Sequence, residues 1–501
     1  MMDGLVKRYR SILILGFLVV VVSFVVGIFR LLNQVTIAEL GRIGDTDSTV
    51  YLAAVTTEAV LLAYAEIVPL FGLGILKLGI GFAIATIVMN LRATGKSART
   101  SLAKINKQPP EVHPPLFARV FTELLVIGIL VELAAVFLAI GWMAAGAGII
   151  DAGLGHTFEV LAEPLEGLGV SLLIGGIALG LAAIVLNLSR QALVLPGRLI
   201  EIATGKESKT DDFQKLFPKW NLMVTYLGMI ITATGLVPLA FIRLSVDMPT
   251  PLWENWMFIG IGTMLFSIAF WLLTIIKWIR AQRTNLGKAV GESAGIDVPE
   301  IEAPLSTTRG VPVLAVVGLL WMITFFGLAV LFANGVIGPY GPLVRPGKAI
   351  GLATIFLGIG LALITIVVNL RLTAFMLPGS FSKIVSVIKG EKVEGAPGIP
   401  VANPLSLAPK KLFLGIVLGA IIAALGTFPL AWIRAMVGSG DALFFIVERM
   451  IGTTVALGIG TIFFFIGMFF STIVTFVAGR RTLISEGVES CVYYAAEKEG
   501  K

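Results

Sequence analysis

The chain has 501 residues, 57% of them hydrophobic and only 14% charged; a soluble domain carries about 25% charged residues. The mean hydropathy is +0.95. These figures exclude a water-soluble enzyme, a disordered chain and a nucleic-acid-binding module, and they predict an all-α integral membrane protein. The net charge of +7 matters less than the side on which the charges lie.

A crossing helix needs about 20 mostly apolar residues. Runs free of Asp, Glu, Lys and Arg occupy 11–29, 167–189, 220–242, 255–276, 310–344, 349–370, 412–433 and 450–479. Two more appear when charges are tolerated: 67–91 contains Lys77, and 116–150 contains Arg119, Glu123 and Glu132. The expectation is about ten transmembrane helices in a single membrane domain. Lys7, Arg8 and Arg10 before the first span resemble the start of a signal peptide, but no convincing cleavage site follows, so the span reads as retained. Ten spans place both termini on one side. The loops on that side hold 29 of the 38 lysines and arginines, which predicts cytoplasmic termini in a plasma-membrane protein.

The outer stretch 49–66 reads as an interfacial or re-entrant helix. Glu159, Glu163 and Glu166 share a helix face that reads as solvated. On the inner side, 195–206 and 377–392 follow Pro-Gly and mix apolar residues with cations, as pieces lying along an anionic leaflet would.

Internal similarity predicts five parallel two-helix hairpins, with units approximately 1–110, 111–216, 217–308, 309–407 and 408–501. The even spans carry Gly79-Ile-Gly81, Gly176, Gly260-Ile-Gly262, Gly358-Ile-Gly360 and Gly458-Ile-Gly460. Residues 79–92 (GIGFAIATIVMNLR) parallel 358–371 (GIGLALITIVVNLR). The glycines read as packing seams, because lipid supplies no hydrophobic force between helices and small residues let backbones approach. Arg30, Arg243 and Arg434 fall at the outer ends of odd spans, where they would snorkel to the interface.

Lys77 and Glu132 lie about equally deep in two antiparallel spans, at 1.5 Å per residue. Either charge alone in hydrocarbon would cost several kcal/mol, roughly. An intramembrane ion pair between them is the leading candidate site, either structural or part of an ion pathway. Glu123 lies four residues after Arg119, which suggests a local pair near the inner surface. Asn90, Asn187 and Asn369 end three even spans, as pathway residues or helix C-caps.

Cofactor chemistry is tightly bounded. Cys491 is the one cysteine, so no intramolecular disulfide can form. His113 and His156 fall on opposite sides, which excludes a bis-His haem held by this chain alone. No metal site, cofactor site or catalytic constellation is expected. Gly95-Lys96-Ser97 lacks the earlier glycine and the strand that a phosphate loop needs.

Two functions remain open. One is a non-catalytic subunit or scaffold of a larger membrane complex, respiratory or redox. The other is a transporter or channel for a small solute or ion, with Lys77 and Glu132 on or near the pathway. Membrane lipid and other membrane subunits are the expected partners, and nucleic acid is not.

Overall fold

The computed structural model describes residues 8–107, 109, 114–146, 151–205, 217–245, 251–295, 306–333, 344–393, 407–436 and 442–498. Among them the chain forms ten long α-helices and no strand. These are α1 (Tyr9–Arg42), α2 (Thr49–Ala103), α3 (Phe117–Gly146), α4 (Ala152–Thr204), α5 (Lys219–Ser245), α6 (Pro251–Ala294), α7 (Gly310–Ala333), α8 (Val344–Lys389), α9 (Lys410–Met436) and α10 (Ala442–Lys498). Nine of them, all but α5, are long and apolar enough within the described residues to cross a membrane. The protein is an all-α, multi-pass membrane protein.

The even helices form an inner ring in the order α2, α4, α6, α8, α10 and back to α2. Each odd helix packs outside, against its own even partner and the preceding even helix; α1 packs on α10 and closes the circle. Composition explains the two layers. The most apolar stretches of the even helices are 56–83% buried, against 22–39% in α1, α3, α7 and α9. The odd helices keep one face bare, as Leu18, Val22 and Phe29 do on α1. Such a face is stable only against lipid or another protein.

Each hairpin crosses glycine on glycine. The pairs are Gly16 with Gly72, Gly128 with Gly169, Gly228 with Gly260, Gly318 with Gly351, and Gly419 with Gly458. A Cβ on Gly228 would lie 3.0 Å from the Gly260 carbonyl oxygen, and one on Gly260 would lie 2.8 Å from that of Gly228. Backbones this close gain dispersion contact along both helices. Gly79, Gly176 and Gly358 stand seven residues beyond their crossings, whereas Gly260 and Gly458 are themselves crossings. Seven residues is about two turns and returns to the same face. The Gly-Ile-Gly elements therefore mark one face at two different heights.

Counting from the crossings exposes a heptad pattern along the ring. Eight residues on stand Ile80, Ile177, Ile268, Ile359 and Ile466; fifteen on stand Ile87, Ile184, Ile275, Ile366 and Ile473, and all ten are buried. The second layer, with its neighbours, lines an axial cavity of about 20 Å³ that has only apolar walls. That is room for roughly one water, with no polar partner to hold it. β-branched side chains repeating every seven residues pack parallel helices into such a seam.

The even helices run well past the ends expected from the apolar runs. Their C-terminal parts make a second core of Leu102, Leu199, Val290, Phe381 and Val488 at the base, the end of the bundle where both described termini lie. Two expectations are corrected here. Of segments 195–206 and 377–392, residues 195–204 and 377–389 continue α4 and α8, with Pro196 and Pro378 inside the helices, and α4 stops at Gly205 with φ +72. Their apolar residues face sister helices in that second core. At the opposite end, the rim, α1 reaches Arg42 and α2 starts at Thr49, its first turn capped by Ser48 Oγ accepting from Tyr51 N at 3.1 Å. Residues 49–66 therefore belong to a single helix with 67–103, packed along α1.

Candidate functional site

Lys77 sits on α2 five residues past Gly72, and Glu132 on α3 four residues past Gly128. Its Nζ donates to Glu132 Oε1 at 2.5 Å. Each residue is 4% exposed. Two glycines make the space. Glu132 Oε2 occupies the position a Cβ would need on Gly74 of α2, and Glu132 Cγ does the same at Gly169 of α4. The carboxylate is therefore clasped between α2 and α4, and Oε2 has no hydrogen-bond partner among the described residues. Opposite charges in contact offset much of the desolvation cost that each would carry alone. Chemically, the pair can hold one proton or fix the placement of three helices.

The other candidates scatter. Asn90, Asn187 and Asn369 share one register, and each donates its Nδ2 to the carbonyl four residues earlier, on Thr86, Ala183 and Thr365. They lie mid-helix, so the C-cap expectation is corrected: α2, α4 and α8 continue beyond them. The Arg119–Glu123 pair does not form. Arg119 Nε donates to the Pro114 carbonyl at 3.0 Å, and Glu123 Oε2 accepts from Thr122 Oγ1 at 2.9 Å. Capping the chain before α3 gives Arg119 a nearer acceptor.

Arg30 does not snorkel. It is 3% exposed, and its Nε binds Glu58 Oε1 at 2.8 Å, with Asn33 and Gln34 on the same carboxylate. The extended α2 brings Glu58 alongside α1, which an outer loop would not. The side chains of Arg243, Arg434, Glu159 and Glu163 lie outside the described residues, as does His113. The glycine seams meet neighbours throughout: a Cβ would strike Leu13 at Gly79, Leu125 at Gly81 and Gly176, Met322 at Gly262, Leu314 at Gly358, Ile416 at Gly360 and Val20 at Gly460. No group of His, Cys, Asp and Glu among the described residues could hold a metal ion.

Two polar features escaped the sequence reading. The first joins α5 and α6, where Asn221, Thr225, Ser267 and Trp271 are all fully buried. Thr225 and Ser267 share a 2.6 Å bond, and Trp271 Nε1 donates to Thr225 Oγ1 at 3.2 Å. Polar residues four apart on two consecutive helices were the available signal. The second closes the ring at the base. Twenty-two residues past the crossings stand Thr94, Gln191, Gln282, Thr373 and Arg480. Arg480 of α10 donates to Gln282 Oε1 of α6, although these helices are not neighbours in the ring. The guanidinium therefore spans the axis just below the apolar cavity.

No protein-family model matches the chain, and no curated protein or solved structure matches it.

Proposed function

We propose that the chain is a non-catalytic scaffold or subunit of a larger membrane complex. In this reading it has ten spans in one membrane domain, built as five parallel hairpin repeats. Both termini are cytoplasmic in the plasma membrane, and membrane lipid and other membrane subunits are its partners. The observation that carries the reading is the filled axis. Two five-membered isoleucine layers and a bridging arginine occupy the place where a channel would need water. The glycine crossings fix each hairpin rigidly, as a scaffold requires, and the bare apolar faces of the odd helices offer area for lipid and partners.

The alternative, transport of a small solute or ion, draws on one feature: the buried Glu132 carboxylate with an unpartnered oxygen. An intramembrane ionisable group is a functional candidate by default. Purification from native membranes in mild detergent, with mass spectrometry and an absorption spectrum, separates the two. The expected result is a stoichiometric membrane partner, with purified chain in liposomes passing no ions. A lone, colourless protein whose liposomes conduct, and lose conductance on Glu132→Gln, would overturn the scaffold reading.

A further inference from the structure

A groove of about 750 Å³ opens at the base between α2 and α4, beneath the start of α3. Arg92, Lys96, Arg99 and Arg190 line it, and no carboxylate does among its described lining residues. Its floor is apolar and belongs to the second core through Leu102, Leu195 and Ile484. Arg92 Nη2 donates to the Ala118 carbonyl in the first turn of α3 at 2.6 Å. That contact sets the groove at the height where α3 begins and where the apolar run of α2 gives way to Arg92, Lys96 and Arg99. Gly95 faces open space there, with nothing within 4 Å of where a Cβ would stand.

We infer that this groove binds the phosphate headgroup of an acidic phospholipid. Four cations over an apolar floor fit a molecule that is anionic at one end and apolar at the other. Basic pockets between membrane helices take such headgroups through charge-assisted hydrogen bonds. The volume lies within the range of small-molecule sites, about 300–1,000 Å³. A free phosphate would use the cations and leave the apolar floor bare, so the lipid is the better occupant. The inference is independent of whether the chain is a scaffold or a transporter.

The test titrates the purified full chain in detergent with phosphatidylglycerol, phosphatidylcholine or sn-glycerol 3-phosphate and reads the thermal midpoint. Phosphatidylglycerol should raise it by several degrees, and the other two should not. Lys96→Gln with Arg190→Gln should at least halve the shift. Gly95→Leu should do the same while keeping every charge. Lys410→Gln with Lys411→Gln removes as many exposed cations at the start of α9 and should leave the shift intact. An equal shift with phosphatidylcholine, an equal shift with glycerol phosphate, or an equal loss in the α9 control would each overturn the assignment.

Discussion

The ring builds one socket several times and fills it differently. Two residues past the crossing on α2, α6 and α10 stand Gly74, Gly262 and Gly460; over them lie Glu132 of α3, Met322 of α7 and Val20 of α1. Those three side chains each stand four residues past the odd-helix crossing, at Gly128, Gly318 and Gly16. The residues matching Lys77 on α6 and α10 are Leu265 and Phe463, both buried. The same glycine register thus accepts either an ion pair or two apolar side chains. The charge is not required to close the bundle, since the same contact closes without it elsewhere.

That comparison predicts the largest effect. Glu132→Met alone leaves Lys77 buried without its partner, which should cost about 3–5 kcal/mol. Adding Lys77→Leu imports the α6–α7 pair and should return stability to within about 1 kcal/mol of the original or above it, because apolar side chains of similar volume replace a buried ion pair at little or no cost. Thermal unfolding in detergent measures both. Failure of the double variant to recover would mean the first socket differs from the others in shape. Recovery of stability with loss of function in the cell would mark the pair as functional.

The glycines beneath the socket sharpen the same contrast. Gly74→Ala pushes against a carboxylate tied to Lys77, and the expected cost is about 1–3 kcal/mol of overpacking. Gly262→Ala crowds the Sδ and Cε end of Met322, which can swing aside, and meets Leu319 Cδ1 at an ordinary 3.7 Å. Its cost should be clearly smaller, measured by the same unfolding midpoint. Equal costs would mean that backbone approach, rather than the ion pair, limits the first socket.

The base offers a second contrast with the apolar axis above it. Arg480 is buried and bonds across the ring to Gln282, while its Nε has no partner among the described residues. Arg480→Leu strands the Gln282 side chain, at a cost of about 1–3 kcal/mol. Adding Gln282→Leu should recover that cost or exceed it, as apolar replacements of buried polar groups often do. If both variants unfold alike at lower temperature, the polar layer fixes the register of the ring, as a single polar core residue does in coiled coils. Cys491, fully buried in the base core, reports the loosening through faster maleimide labelling.

Much of this architecture was readable, and the gaps have physical causes. Apolar runs locate the helices, because each needs a lipid-facing or core-facing length. Residue counting along two antiparallel helices puts Lys77 and Glu132 at one depth; it cannot reveal that Gly74 and Gly169 clear the space between them. Charge-free runs end the even helices too early, because Arg92, Arg190 and Arg371 stand on helices that continue past the polar layer into the second apolar core at the base. Gly-Ile-Gly gives the right face but not the right height, since two helical turns look alike from one side. Arg480 counts in the sequence as an ordinary cation near the membrane surface. Only the closed order of the ring turns it inward.

The smallest predicted effect has the opposite sign and isolates what the glycines do. Gly479 stands in the middle of α10, and a Cβ there would meet nothing within 4 Å. A glycine in a helix interior costs about 0.5–1 kcal/mol relative to alanine, through the backbone freedom it surrenders on folding. Gly479→Ala should therefore raise the unfolding midpoint slightly, while Gly260→Ala should lower it, because its Cβ would lie 2.6 Å from the Thr232 backbone nitrogen. Both changes add the same methyl to helices of the same inner ring, so intrinsic helix preference is matched between them. The difference in midpoint then measures the close approach of the two backbones at a crossing. A destabilising Gly479→Ala would show that α10 meets something at that surface which the isolated chain lacks, and would point to a partner there.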